Sequence, residues 1–159
     1  MARAAALLAG AANVTAVECD VRYPRHLLTL PAIRALIDFG QPVAVLLVAV
    51  LHFVPDVESP WAIARCIIDH LAPGSYVVIS HVTSDEAPAE AIDKAREIYD
   101  GALVRGAARS RDDIEALFDG LDLLPPGVTD VAVWRSRRPG PAELALFYAG
   151  IGRKTGTPR

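Results

Sequence analysis

Residues 42–56, PVAVLLVAVLHFVPD, constrain this chain more than any other stretch. Nine consecutive residues, Val43 to Leu51, are apolar. Such a run has no alternation for a half-solvated strand, so it predicts a central parallel strand covered by helices on both sides. It is also too short to cross a bilayer, which takes about 20 residues. The apolar character then stops at His52, and Pro55 and Asp56 follow. A buried strand with a polar tip fits an open α/β sheet, in which ligands bind outside the carboxyl ends of the strands.

The rest of the chain supplies the elements such a sheet needs. Residues 2–9 have high helix propensity and Gly10 ends them; NVTAVECD then reads as a short strand at 14–19 ending at Asp20. Thr29 is positioned to cap a helix over 30–38. Ser59-Pro60 opens another, with Trp61, Ala64, Ile67, Ile68 and Leu71 at helical spacing. Ala72-Pro73-Gly74-Ser75 turns the chain into a second buried strand at 76–80. Thr83 with Glu86 and Ser110 with Asp113 have capping-box spacing for helices at 87–100 and 111–119. Strands at 128–134 and 143–150 lack room for a helix between them, which predicts an antiparallel pair at one edge. The fold class is therefore α/β: a mostly parallel sheet with helices on both faces and an antiparallel C-terminal strand pair, within a single domain over 1–159.

Composition narrows the function classes. A net charge of −3 provides no field for nucleic acid, and no Lys/Arg tract points to a membrane surface. The Arg-rich stretch RSRRPGP near Trp134 reads as a solvated loop. Cys19 and Cys66 lack metal-ligand spacing and are too few for a disulfide framework, so both are expected reduced in a cytoplasmic protein. The start, MARAAALLAGAA, is too short and Ala-dominated in its apolar part for a signal peptide. Polar groups converge at three strand ends: Asp20, His52 and Ser80-His81.

Three motifs in order, VECDVRYP, LHFVPD and LAPGSYVVISH, together with the closing LFYAGIGRK, resemble class I S-adenosylmethionine-dependent methyltransferases. More narrowly, the chain is similar to the bacterial S-adenosyl methyltransferase family. The resemblance implies a Rossmann-like methyltransferase sheet, S-adenosyl-L-methionine as cofactor and an unidentified small molecule as methyl acceptor. It assigns Asp20 to the adenine amino group, for which a carboxylate at a strand tip is a suitable acceptor, and the Val21 backbone to the ring edge. Capping the turn before Pro24 is the alternative role for Asp20. The resemblance also lays Ala49, Val50 and Leu51 along the methionine end of the cofactor. His52 has two readings: a base that deprotonates the acceptor, or a side chain that packs beneath the following loop and bonds the backbone. His81 and Asp85 stand where they could line an acceptor pocket. His26 and His70 have no partner spacing.

One part of the family pattern is not found. Family members begin with a strand, a Gly-rich turn, a helix and a second strand ending in an acid; residues 1–13 supply neither the turn nor the acid. The expectation is a truncated domain, incomplete at its N-terminus, in which the strand at 14–19 is orphaned and the strand at 43–51 keeps a free edge. A free apolar edge invites pairing with another chain, a homodimer among the options. Two functional readings follow: a methyltransferase whose isolated chain binds its cofactor weakly, or a non-catalytic methyltransferase-like domain acting through that edge. A dehydrogenase is poorly supported, since the chain contains no G-x-G-x-x-G.

Overall fold

The computed structural model describes residues 13–85, 106–134 and 146–156. The expected helices at 2–9 and 87–100 and the RSRRPGP loop lie outside them. The described chain forms helices α1 (Pro24–Thr29), α2 (Pro31–Arg34), α3 (Pro60–His70) and α4 (Arg111–Glu115). Its strands are β1 (Ala44–Val48), β2 (Tyr76–Val82), β3 (Asp122–Leu123), β4 (Thr129–Asp130) and β5 (Phe147–Arg153). Short 3-10 turns at Leu51–Phe53, Asp56–Glu58 and Ala116–Phe118 link them.

The sheet runs β1-β2-β5-β3, with β4 also paired to β5. β1 and β2 are parallel, Ala44 opposite Tyr76 through Val48 opposite Ser80. From β2 onward the sheet is antiparallel, and β5 lies inside it, between β2 and the two short strands. β3 and β4 share one side of β5 and are separated by Pro125 and Pro126, which have no N–H to donate to a ladder.

Serines bracket the parallel pair. Ser75 Oγ accepts from the Val43 N–H at 3.1 Å, and Ser80 Oγ accepts from the Ala49 N–H at 3.0 Å. Gly74, at φ +89°, makes the reversal into β2 that the Ala-Pro-Gly-Ser stretch predicts, and its N–H donates to the Lys154 carbonyl at 2.8 Å.

The core lies on one face of the sheet. Leu47, Val77 and Ile79 pack with Ile63, Ala64, Ile67 and Ile68 of α3, and with Ile114, Leu117, Phe118 and Tyr148. The helical spacing expected around Trp61 is realised in α3. The Ser110 cap is realised too, its Oγ accepting from the Asp113 N–H at 3.2 Å.

Three local expectations are corrected. Residues 14–20 form no strand, and among the described residues no strand is paired to them. Thr29 ends a helix instead of starting one, its hydroxyl donating back to the Arg25 and His26 carbonyls at 2.9 and 3.0 Å; Pro24 and Pro31 occupy the helix starts. The helix start expected at Ser59-Pro60 is met, with Ser59 at the N-cap position at φ 53° and no side-chain cap bond. β1 is covered on one face only: Leu46 and Val48 are 63% and 54% exposed on the other.

Candidate functional site

At the end of β1 the chain leaves the sheet through a conformation that L-residues seldom adopt. Ala49 has φ 53°, and its N–H is held by the Ser80 carbonyl at 3.3 Å as well as by the Ser80 hydroxyl. A non-glycine residue at positive φ persists only when its surroundings fix it, and such positions cluster at functional sites. The chain then runs through Leu51–Phe53 to Pro55 and Asp56, so Ala49, Val50, Leu51 and His52 all stand at the carboxyl end of the parallel pair.

His52 is 2% exposed. Its ring packs against Phe53, His81 and Phe147, with centroids 4.1, 5.7 and 5.9 Å away. Its Nδ1 is buried without a hydrogen-bond partner, while its main-chain carbonyl accepts from the Ala107 N–H at 2.7 Å. The packing half of the structural expectation is therefore met, but Nδ1 makes no bond to the backbone. Burial, and secondarily the nearby Arg109 charge, holds the imidazole below its ordinary pKa, which keeps the ring neutral and makes it a weaker base than a free imidazole.

His81 does not line an open pocket: it is fully buried at the end of β2. Its Nε2 is 2.6 Å from Arg109 Nη1 and its Nδ1 is 2.7 Å from the Val82 carbonyl. A guanidinium only donates, so Nε2 is the acceptor and the proton sits on Nδ1. Asp85 stays exposed, its carboxylate accepting from the Arg111 N–H at 2.9 Å.

Sequence reasoning missed Arg109, the residue that organises this end of the sheet. It carries no motif and simply precedes the Ser110 cap. Arg109 is 3% exposed. Its guanidinium donates to the Leu51 carbonyl at 3.2 Å, the Val54 carbonyl at 2.6 Å, His81 Nε2, and Asp56 Oδ1 from both Nε and Nη2 at 3.0 and 2.6 Å. Those five contacts account for all five N–H donors of the group. The Trp61 ring packs on it, 5.2 Å from centroid to Cζ.

Asp20 and Val21 reach the same end of the sheet through a surface bridge. The Asp20 carboxylate accepts from the Arg22 N–H at 2.9 Å, which is the turn-capping role. It also binds the Arg22 guanidinium, with Nη2 at 2.6 Å. Arg22 Nη1 in turn donates to Glu58 at 3.2 Å, on the loop that follows β1. The bond from Arg22 holds the Asp20 carboxyl below the usual carboxylate range. The pair is exposed, so an incoming amine meets an ionised acceptor whose partner is displaced at low cost. Val21 packs partly buried against the core.

These groups are compatible with an adenosyl cofactor: an ionised acid for an amine, a fixed backbone turn at Ala49–Leu51 and an unpartnered buried nitrogen on His52. Among the described residues no Gly-rich turn leads from a strand into a helix, and no cluster of His, Cys, Asp or Glu could hold a metal. No helix among them is long and apolar enough to cross a membrane. An open depression lined by Trp61, Ala62, Arg65, Ala116, Leu117 and Asp119 contains none of the candidate residues.

Comparison with known proteins finds chains of similar sequence and fold. The model of a family described as S-adenosyl methyltransferase matches residues 1–155. A crystal structure of a candidate methyltransferase from Thermobifida fusca is similar, with 35% identity and a TM-score of 0.87 over 98% of this chain and 59% of that one. A DUF574 family protein from Streptomyces avermitilis is 29% identical, with a TM-score of 0.79 over 87% of this chain and 54% of that one. An S-adenosylmethionine-dependent methyltransferase from Anabaena variabilis, 12% identical with a TM-score of 0.59 over 96% of this chain and 63% of that one, shares the fold. This chain spans less than two thirds of the length of each. No curated protein matches the sequence.

Proposed function

The chain belongs to the S-adenosyl methyltransferase family, and from that premise we propose that it binds S-adenosyl-L-methionine and serves transfer of its methyl group to a small-molecule acceptor in the bacterial cytoplasm. The observation that carries the reading is the bridge from the Asp20 turn through Arg22 to Glu58, on the loop that leads on from the Ala49–His52 turn at the carboxyl end of β1. When bound, the cofactor supplies a methyl group activated on a sulfonium. The chain's part is alignment and exclusion of water, which displacement chemistry of this kind needs more than strong acids or bases. In this reading Asp20 accepts from the adenine amino group, the Val21 backbone meets the ring edge, and Ala49, Val50 and Leu51 form the wall along the methionine end.

His52 is the group proposed to take a proton from the acceptor. Its neutral, unpartnered Nδ1 supports that role, and its aromatic packing supports a purely structural one. The two roles separate experimentally. As a base, His52→Asn slows transfer by the folded protein roughly 100-fold; as packing alone, it lowers the melting temperature and leaves the transfer rate of the folded protein unchanged.

Calorimetric titration of the purified chain with S-adenosylhomocysteine tests the binding reading. Micromolar affinity that Asp20→Ala weakens about tenfold, the worth of one charge-assisted hydrogen bond, upholds it. A folded chain that takes up none of the ligand refutes it.

A second observation favours self-association alongside this activity. Val43 and Ala49 bond toward β2, so the alternating residues Ala44, Leu46 and Val48 direct their N–H and C=O groups off the sheet edge, where the described residues offer them no backbone partner. A second copy, its own β1 antiparallel, would satisfy both edges at once.

A further inference from the structure

We propose that Arg109 is a positioning residue of the candidate site, a clamp that holds the loop after β1 in place and, together with the Val82 carbonyl, fixes the tautomer of His81. Three of its acceptors, Leu51, Val54 and Asp56, belong to that loop, and the fourth, His81, is the last inward-facing side chain of β2 before Thr83. One guanidinium thus ties the element carrying His52 to the element beside it. The clamp has a fixed base. The Arg109 N–H donates to the Val82 carbonyl at 3.2 Å, the Arg109 carbonyl accepts from the Ser84 N–H at 3.0 Å, and Trp61 covers the guanidinium.

The geometry requires arginine in particular. A lysine keeps the charge but has three donors and no planar fork, so it cannot serve two loop carbonyls, a carboxylate and an imidazole together. With Nε2 engaged as acceptor, His81 keeps its proton on Nδ1, bonded to Val82, and presents its ring at 82° to His52. Loss of the fork releases the Leu51 and Val54 carbonyls and lets His81 change tautomer and turn. His52, lying between Leu51 and Val54 in the chain and against His81 in space, then loses its fixed place.

The consequence for ligand binding rests on the proposed function, in which the Ala49–Leu51 backbone is the cofactor's wall; the consequence for His81 does not. Two measurements keep these apart. Nitrogen-15 NMR of the histidines in the full chain should show His81 as the Nδ1–H tautomer, and Arg109→Lys should shift it toward the Nε2–H form. Titration with S-adenosylhomocysteine should show affinity falling tenfold or more in Arg109→Lys. A core variant that lowers the melting temperature equally, Ile68→Val, should stay within twofold of the wild type.

An unshifted His81 overturns the clamp. Equal affinity in Arg109→Lys and a binding wild type overturns its role at the site, whatever happens to the melting temperature. If the wild type takes up no ligand, the proposed function fails and the NMR result alone decides the clamp. Should Arg109→Lys fail to fold, Asp56→Ala, which removes an acceptor whose side chain is 68% exposed, replaces it. That variant should weaken binding at least threefold and perturb the His81 nitrogen shifts, and wild-type values in both would overturn the proposal.

Discussion

The imidazole rings of His52 and His81 meet edge to face, 5.7 Å between centroids, with the Arg109 guanidinium on Nε2 of His81. Burial is the main reason both rings resist protonation. It outweighs the bond from His81 to the Val82 carbonyl, and with the Arg109 charge it brings His81 to about 4. Both shifts are depressions, so the folded chain binds fewer protons than the unfolded chain below about pH 6.5. Stability is therefore complete above that pH and falls as pH drops toward 4, with His81 worth up to about 3 kcal/mol. Thermal unfolding across pH 4 to 8 should show the loss, and His81→Gln should flatten it. A wild-type profile level through that window would contradict the burial argument.

Gly152 lies in β5 beneath the turn that follows Phe118. A Cβ there would sit 2.8 Å from Leu121 Cβ and Cδ1 and 3.1 Å from Phe118 Cδ1. Leu121 Cβ is fixed to its backbone and cannot swing aside, so Gly152→Ala should destabilise by about 1–3 kcal/mol through overpacking. Urea unfolding measures this, and a change below about 0.5 kcal/mol would mean that the segment at 119–123 shifts freely.

Ile79 is fully buried at the centre of β2, within the main core cluster. Ile79→Ala should cost about 2–5 kcal/mol, the methylene transfer plus the cavity left in a core that cannot fully collapse. The same urea series measures it against Leu46→Ala, whose side chain is 63% exposed and whose removal should cost far less.

The free edge of β1 gives a prediction about assembly. Leu46 and Val48 expose apolar side chains beside backbone groups with no partner among the described residues, and β1 itself carries no charge or proline. Light scattering after size exclusion should show a dimer whose fraction grows with concentration, and Leu46→Lys should return it to monomer. A wild type monomeric at high micromolar concentration would rule out pairing through this edge.

Much of the frame was legible before any tertiary information. β1, β2, α3, the Gly74 turn and the Ser110 cap all follow from signals only a few residues long: an apolar run, a helical repeat, a positive-φ glycine, a hydroxyl three residues before the N–H it receives. The family was legible too, through motifs at the ends of β1 and β2. The errors fell where a local signal had two outcomes. Thr29 serves as well at a helix end, bonding backward, as at a helix start, and the prolines at 24 and 31 were the better markers of where α1 and α2 begin.

The sequence by itself determined the α/β class, the parallel pair and the polar character of its tip, because each is written in contiguous residues whose preferences act over one turn or one strand. Tertiary structure alone decided that residues 14–20 stay unpaired, that β5 inserts antiparallel beside β2, and that Arg109 ties the post-β1 loop to His81. A strand exists only beside a partner within hydrogen-bonding distance, and a buried guanidinium is stable only where five acceptor contacts converge on it. Both conditions join residues far apart in the chain, Arg109 and Leu51 among them, and no local preference encodes them.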